Sequence, residues 1–325
     1  MKKTKQVVLF YAGGFLLLAS LCGFFWIQTF HVSGAEVAQQ AYVQPETFGA
    51  NSHDYVDDKA AIQQAIDYAQ TQKIGKVKLT GGGEYLLQSG IVIKKGVELE
   101  MDNNTKLTID GNFRAIELQN DASLTDGFIM VANTNFASDV IYLDGKYKFT
   151  SWDRARVRGV TIVNAANTYK GTAVSLYAGG DGHYISYVKF SELKITGFAT
   201  AIKLQAVKPA TGNAWVNANY FNNITLDANI KGIDLIGGQT VPNETSGNTF
   251  TDFQMQTESN TTALISVTGQ DNVFHGMMWD ITKTPVAQPV IVTANAVGTK
   301  LDINLAKSKV NDKGVYTQIT TPYPN

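Results

Sequence analysis

Helical periodicity with a clear start signal occurs once along the chain. In KAAIQQAIDYAQ, Ala60, Ala61, Ile62, Ala65, Ile66 and Ala69 fall on one face of a 3.6-residue repeat. This predicts an amphipathic helix over 58–71, with Asp57 or Asp58 placed to cap its first turn. Downstream the period changes. VKLT, YLLQ, IVIKK, VELEM, KLTI, AIEL, FIMV and VIYL are short apolar segments of β type, which reads as strands with one side inward and the other toward solvent.

From residue 157 the strands repeat. Segments 157–162, 190–195, 221–226, 250–255 and 274–279 align, with anchors Val160, Leu193, Ile224, Phe253 and Met277 spaced 33, 31, 29 and 24 residues apart. A second strand follows each, at 173–176, 201–204, 232–235, 264–267 and 290–293. A repeat near 30 residues built only of short strands describes a solenoid of β coils, which stack because no coil can bury its apolar side alone. A propeller blade needs ~40–45 residues and four strands. The column Phe190, Phe221, Phe250 and Phe274 is expected to form an internal aromatic stack, and Trp279 by the same register points inward. The expected organisation is a signal or anchor at 1–35, a linker at 36–45, the coil at 46–304 and a tail at 305–325.

Composition agrees with a packed domain: 44% of the 325 residues are hydrophobic and 17% charged, with 29 Gly and 7 Pro. Basic and acidic residues number 27 and 28, and Lys2, Lys3 and Lys5 account for the only basic concentration. The remainder is net negative, which argues against nucleic acid as a partner. Those lysines precede an uncharged stretch at 6–30, long enough for a single membrane-spanning anchor of ~20 residues. Ser33-Gly34-Ala35 offers a cleavage site, so a secretory signal is the alternative. Either form puts the body outside the cytoplasm, secreted or held at the cell surface. Cys22 is the only cysteine and lies within the apolar stretch, so the body has no disulfide.

Phe48-Gly49-Ala50, Asp57-Asp58, Ala61-Ile62, Ala65-Ile66, Gly81-Gly82-Gly83-Glu84-Tyr85 and Gly96-Val97-Glu98-Leu99 resemble the opening of pectate-lyase-like right-handed parallel β-helices. That group includes the pectate lyase superfamily domain of bacterial secreted proteins and phage tailspikes. The resemblance implies an all-β, single-stranded right-handed parallel β-helix whose short amino-terminal helix caps the open end of the stack. It also implies a polysaccharide substrate, met by hydrolysis, elimination or epimerisation. Phage-type members trimerise, but 305–325 contains no recognisable trimerisation module. The polygalacturonase motifs do not carry over: Asn133-Thr134-Asn135 lacks the acid, Gly182-His183-Tyr184 lacks the second glycine, and neither RIK nor the pectate-lyase arginine motif occurs.

Chemistry is expected on the solvent side of the first sheet. The alignment puts Glu192, Asp227, Asp252 and Asp280 on one polar face beside Lys194, Asn223, Gln254 and His275. Coils stack ~4.8 Å apart, so Glu192 and Asp252 lie two coils apart in one column. That spacing suits the ~6.5–9.5 Å of an acid and a base carboxyl in inverting glycosidases. Glycoside hydrolysis by such a pair is the leading expectation. Elimination on a uronic-acid polymer is the alternative, with Lys194 as base or with Ca²⁺ held by Asp227, Asp252 and Asp280. A third reading is a non-catalytic polysaccharide-binding surface protein. Trp215 on the loop 205–219, Tyr220 and the loop histidine His183 are the further candidate substrate contacts. There is no P-loop, HExxH or CxxC; no metal site is expected apart from that Ca²⁺.

Overall fold

The computed structural model describes residues 41–323. The expected anchor or signal at 6–30, Cys22, the 33–35 cleavage site and the start of the expected linker lie outside the described residues. Among the described residues no helix is long and apolar enough to cross a membrane.

The chain winds as a right-handed parallel β-helix, the sense favoured for connections between parallel strands. The first sheet stacks ten strands in succession, from Lys76–Leu79 to Gln318–Thr320. The second runs through nine, from Ile91–Ile93 to Val310–Asp312. A third, unexpected sheet of three strands joins at the corner: His183–Ser186, Ala214–Asn217 and Asn243–Glu244. The one α-helix among the described residues, Lys59–Thr71, turns Ala61, Ile62, Ala65, Ile66 and Ala69 onto the first coils. Asp57 rather than Asp58 caps it, accepting from Lys59 N–H. The Asp58 carboxylate instead accepts from the Asn51 and Leu86 amides, tying the helix to the coil edge.

Two features fix the lateral position of successive coils. Phe190, Phe221, Phe250 and Phe274 stack face to face at centroid spacings of 4.4, 4.5 and 5.1 Å, as the alternation requires. Two residues before three of them stand Asn219, Asn248 and Asn272, all fully buried. Asn248 Oδ1 accepts from the Asn219 backbone N–H at 3.1 Å, and Asn272 Oδ1 accepts from Asn248 N–H at 2.9 Å. Their side-chain amides donate onward to the carbonyls of Ile185, Val216 and Thr245. A strand corner that would strand its N–H groups in the core is thereby satisfied.

Both ends of the coil extend further than the sequence suggests. Val43, in the expected linker, is buried and pairs with Val77. Past residue 304, Val310–Asp312 pairs with Val290–Val292 and Gln318–Thr320 pairs with Lys300–Asp302, so 305–325 is not simply a tail. These strands carry no aromatic anchor and only three residues each, too few for alternation to announce them.

Candidate functional site

The solvent face of the first sheet depends on a backbone device. In one coil the sheet consists of Arg156–Arg158 and Thr161–Asn164, interrupted at Gly159; in the next, both pair with the single strand Lys189–Thr196. That strand and its two successors each bulge at one left-handed residue: Glu192 (φ 57°), Asn223 (φ 54°) and Asp252 (φ 54°). Pairing passes over each bulge, as from Ser191↔Asn222 to Leu193↔Ile224. These side chains therefore form a column of their own, as the alignment anticipated.

The strand Val273–Trp279 omits the bulge. Thr251 pairs with His275 and Phe253 with Gly276, so one residue fewer links the two positions. This overturns the expected register. Met277, aligned as an inward anchor, pairs with outward Gln254 and is exposed; Met278, expected outside, is buried. Trp279, expected in the core, is 48% exposed. Gly276 occupies the inward position, where a Cβ would come within 2.5 Å of the Phe253 ring and carbonyl. The missing bulge also leaves a step beneath Asp252.

That step is a recess of about 510 Å³, lined by Asn223, Asp252, Gln254, His275, Met277, Asp302, Asn304 and Tyr323 among others. The strand register stacks Asn222, Thr251, His275 and Asp302 in one outward column. His275 Nδ1 lies 3.6 Å from Asp252 Oδ1, and its Nε2 lies 3.7 Å from Asp302 Oδ2. Asn222 Nδ2 donates to the other Asp252 oxygen at 2.8 Å, which orients that carboxylate. Trp279 Nε1 donates to Gln254 Oε1 at 2.5 Å, holding the indole against the rim. Asp252, His275, Asn223 and Gln254 were all expected on this face. Asp302 and Tyr323 were not, because both lie beyond the last aligned coil.

The other expected residues fall elsewhere. Glu192 and Lys194 stand two strands away on Lys189–Thr196 and do not line the recess. Asp227 pairs with Gln256 at the far end of the strand, and burial followed by the Glu258 charge pushes its carboxyl above the usual range. Asp280 lies one residue past that column rather than in it. It accepts from Gln256 at 2.9 Å and pairs with Lys283 at 3.0 Å, and the Lys283 hydrogen bond holds its carboxyl low. Asp227, Asp252 and Asp280 thus do not converge, and among the described residues no three His, Cys, Asp or Glu are grouped to hold a metal ion. Trp215 lies on the strand Ala214–Asn217 rather than on a loop and stacks on Tyr184 at 4.8 Å, outside the recess. His183 opens the third sheet, with Nδ1 3.7 Å from Asp144. Tyr220 is exposed on the first sheet, at the third-sheet end of its strand. On the second sheet Ser175 and Asp234 are buried, and Asp234 pairs with Lys231 at 2.9 Å.

No protein-family model matches the chain, and no curated protein does. Solved structures resemble its coil. The Dettilon tailspike protein shares 12% identity over 88% of this chain and 68% of its own, with a TM-score of 0.45. A double mutant of the tailspike of E. coli bacteriophage HK620, in complex with a pentasaccharide, shares 10% over 88% and 65%, with a TM-score of 0.43. The chain thus spans about two thirds of the length of these tailspikes. The Streptococcus pneumoniae surface protein and adhesin PfbA shares 11% over 87% and 99%, with a TM-score of 0.30.

Proposed function

We propose that the chain is an extracytoplasmic carbohydrate-active protein that hydrolyses a polysaccharide at the recess beneath Asp252. One observation carries this reading: two carboxylates, Asp252 and Asp302, flank opposite nitrogens of the His275 ring within a single recess. Contacts of 3.6 and 3.7 Å to opposite nitrogens of one imidazole bring two carboxyls to a single recess, the pair that glycoside hydrolysis uses as acid and as base or nucleophile. His275 stands between them at distances longer than a hydrogen bond. Such contacts tighten when substrate excludes water. Gln254 and Tyr323 supply amide and phenol groups for hydroxyls and Met277 an apolar floor, while the Asn304 amide is held by the Met278 backbone.

No Lys or Arg lines the recess among the described residues. A uronate would meet two carboxylates with no fixed cation, which favours a neutral polymer and hydrolysis over elimination by Lys194. Exposure supports a second reading, binding without cleavage: the Asp252 and Asp302 side chains are 62% and 58% exposed, more solvated than is usual for catalytic acids. The test is incubation with neutral and uronic-acid polysaccharides, following reducing ends and the ultraviolet absorbance of unsaturated uronides together. New reducing ends alone, abolished in Asp252→Asn and Asp302→Asn, support hydrolysis. Rising absorbance would overturn it in favour of elimination, and binding without cleavage would leave the second reading.

A further inference from the structure

A second cleft lies on the same coils, at the corner between the third and first sheets. It encloses about 300 Å³ and is lined by Asn217, Gln239, Thr240, Glu244, Gln270 and Asp271. Its origin is again a backbone column. Tyr187, Ala218, Gly247 and Asp271 turn successive coils with φ of 63°, 52°, 64° and 54°. Ala218 and Gly247 leave a notch between the larger Tyr187 and Asp271. The 237–243 segment walls it, anchored where Ser246 Oγ donates to the Gln239 carbonyl at 2.7 Å.

We propose that this cleft is a second glycan-binding site, which takes a neutral polyhydroxylated sugar ring. The inference rests on the carbohydrate reading of the recess. The lining is almost wholly amide, hydroxyl and carboxylate, which excludes an apolar ligand. The Gln239 amide presents donor and acceptor in one plane, as a sugar hydroxyl both gives and accepts. Asn217 bonds Ser186 and Glu244, and Gln270 donates to Asp271, which holds the walls in place. Glu244 and Asp271 are its only carboxylates and it has no histidine, short of a metal-ligand group.

Position ties the cleft to the recess. Gly247 precedes Asp252 by five residues and Asp271 precedes His275 by four, on the same coils. At ~3.3 Å per extended residue the two sites lie about 15 Å apart along the strands, with exposed Tyr220 and half-buried Thr249 on the surface between. A chain of several sugars spans that distance. One glycan held at both points gains avidity, of order 10²-fold over either site alone.

The test uses the full ¹⁵N-labelled chain with the methyl glycosides of glucose, galactose, mannose and N-acetylglucosamine as probes. Saturable shifts are expected at two groups of signals: the Gln239, Gln270 and Asn217 amides of the cleft, and the Gln254 amide and His275 of the recess. The double variant Gln239→Ala, Gln270→Ala should lose the cleft response, as read at Asn217 and Gly247, and keep that of the recess. Its otherwise unchanged spectrum reports the fold. A recess that responds while the cleft stays silent overturns the second site and leaves the first. Cleft shifts that survive in the double variant also overturn it. Silence in both groups removes the carbohydrate reading and this inference with it.

Discussion

Inserting one asparagine between His275 and Gly276 should erase the site while leaving the fold. The pairing Thr251↔His275 and Phe253↔Gly276 already brackets the position where three preceding strands carry a bulge residue. The insert therefore adds a fourth member to the Glu192, Asn223, Asp252 column without altering the register on either side. It lands ~4.8 Å below Asp252, inside the recess, and comes between Asp252 and Asp302. A non-glycine residue in the left-handed region costs about 1–3 kcal/mol, and the lower end is expected because the neighbouring coils hold the same conformation. For a domain of this size that is a fall of a few degrees in melting temperature. Losing the acid–base pair should lower polysaccharide cleavage by about 10²–10⁴-fold. A glycine insertion, with no side chain to fill the step, should be less damaging. Thermal melts together with reducing-end assays decide the matter. Unchanged cleavage by a folded insertion variant would refute the origin assigned to the recess.

Other consequences are open to measurement. Asp252→Asn and Asp302→Asn should each lower cleavage by at least 10²-fold with stability changed by under about 0.5 kcal/mol, since both side chains are exposed; a melt that collapses in step with activity would mark them as structural. Phe250→Ala removes a ring stacked on both neighbours and should cost about 3–5 kcal/mol in denaturant unfolding, against under 1 for Tyr220→Ala on the surface. Gly276→Ala should cost about 1–3 kcal/mol by forcing Phe253 aside, and a neutral result would contradict the inward placement of Gly276 against that ring.

Stability should also fall at both extremes of pH. A hydrogen bond from Thr108 holds Glu84, and one from Lys76 holds Glu100, below the usual 4.5. For Glu98, burial pushes upward but the Arg156 and Thr125 hydrogen bonds outweigh it. Carboxyls depressed in the folded state stabilise above pH 4.5, and that contribution is lost as pH falls through the depressed values. Lys76 and Lys78, raised above 10.5 by Glu100 and Asp102, stabilise below 10.5 and lose that contribution as pH rises through the raised values. Melting temperatures of Glu98→Gln and Glu100→Gln across the acid range should show a flatter fall than the parent; identical curves would exclude this network.

The coil was legible because alternation and the phenylalanine spacing report the same buried column. The capping helix was legible because helical spacing in Ala61 to Ala69 has no rival in a chain of strands. The site was half legible. Asp252 and His275 sit where alternation puts outward residues, but Phe274-His275-Gly276 resembles Phe250-Thr251-Asp252 for three residues, which hides the loss of one position. A glycine where an apolar anchor belongs was the available sign, because only a missing side chain lets the strand pass so close to Phe253. Asp302 stayed hidden because its coil replaces the aromatic anchor with Leu301. The asparagine ladder was readable in Asn219-Tyr220-Phe221, Asn248-Thr249-Phe250 and Asn272-Val273-Phe274, a recurring Asn-x-Phe that hydrophobic pattern alone passes over.

That triplet separates what can vary in such a winding from what cannot. Phe221, Phe250 and Phe274 follow their preceding rings by 31, 29 and 24 residues, yet in each of these three coils the step from corner amide to stacked ring stays at two. Length is therefore absorbed at 207–213, 237–242 and 280–289, between the fixed points, while the corner keeps time for the whole stack. Whole peptides can be grafted into those three arcs, on the same coils as the recess and the cleft, and a single residue added between Asn248 and Phe250 cannot be accommodated at all.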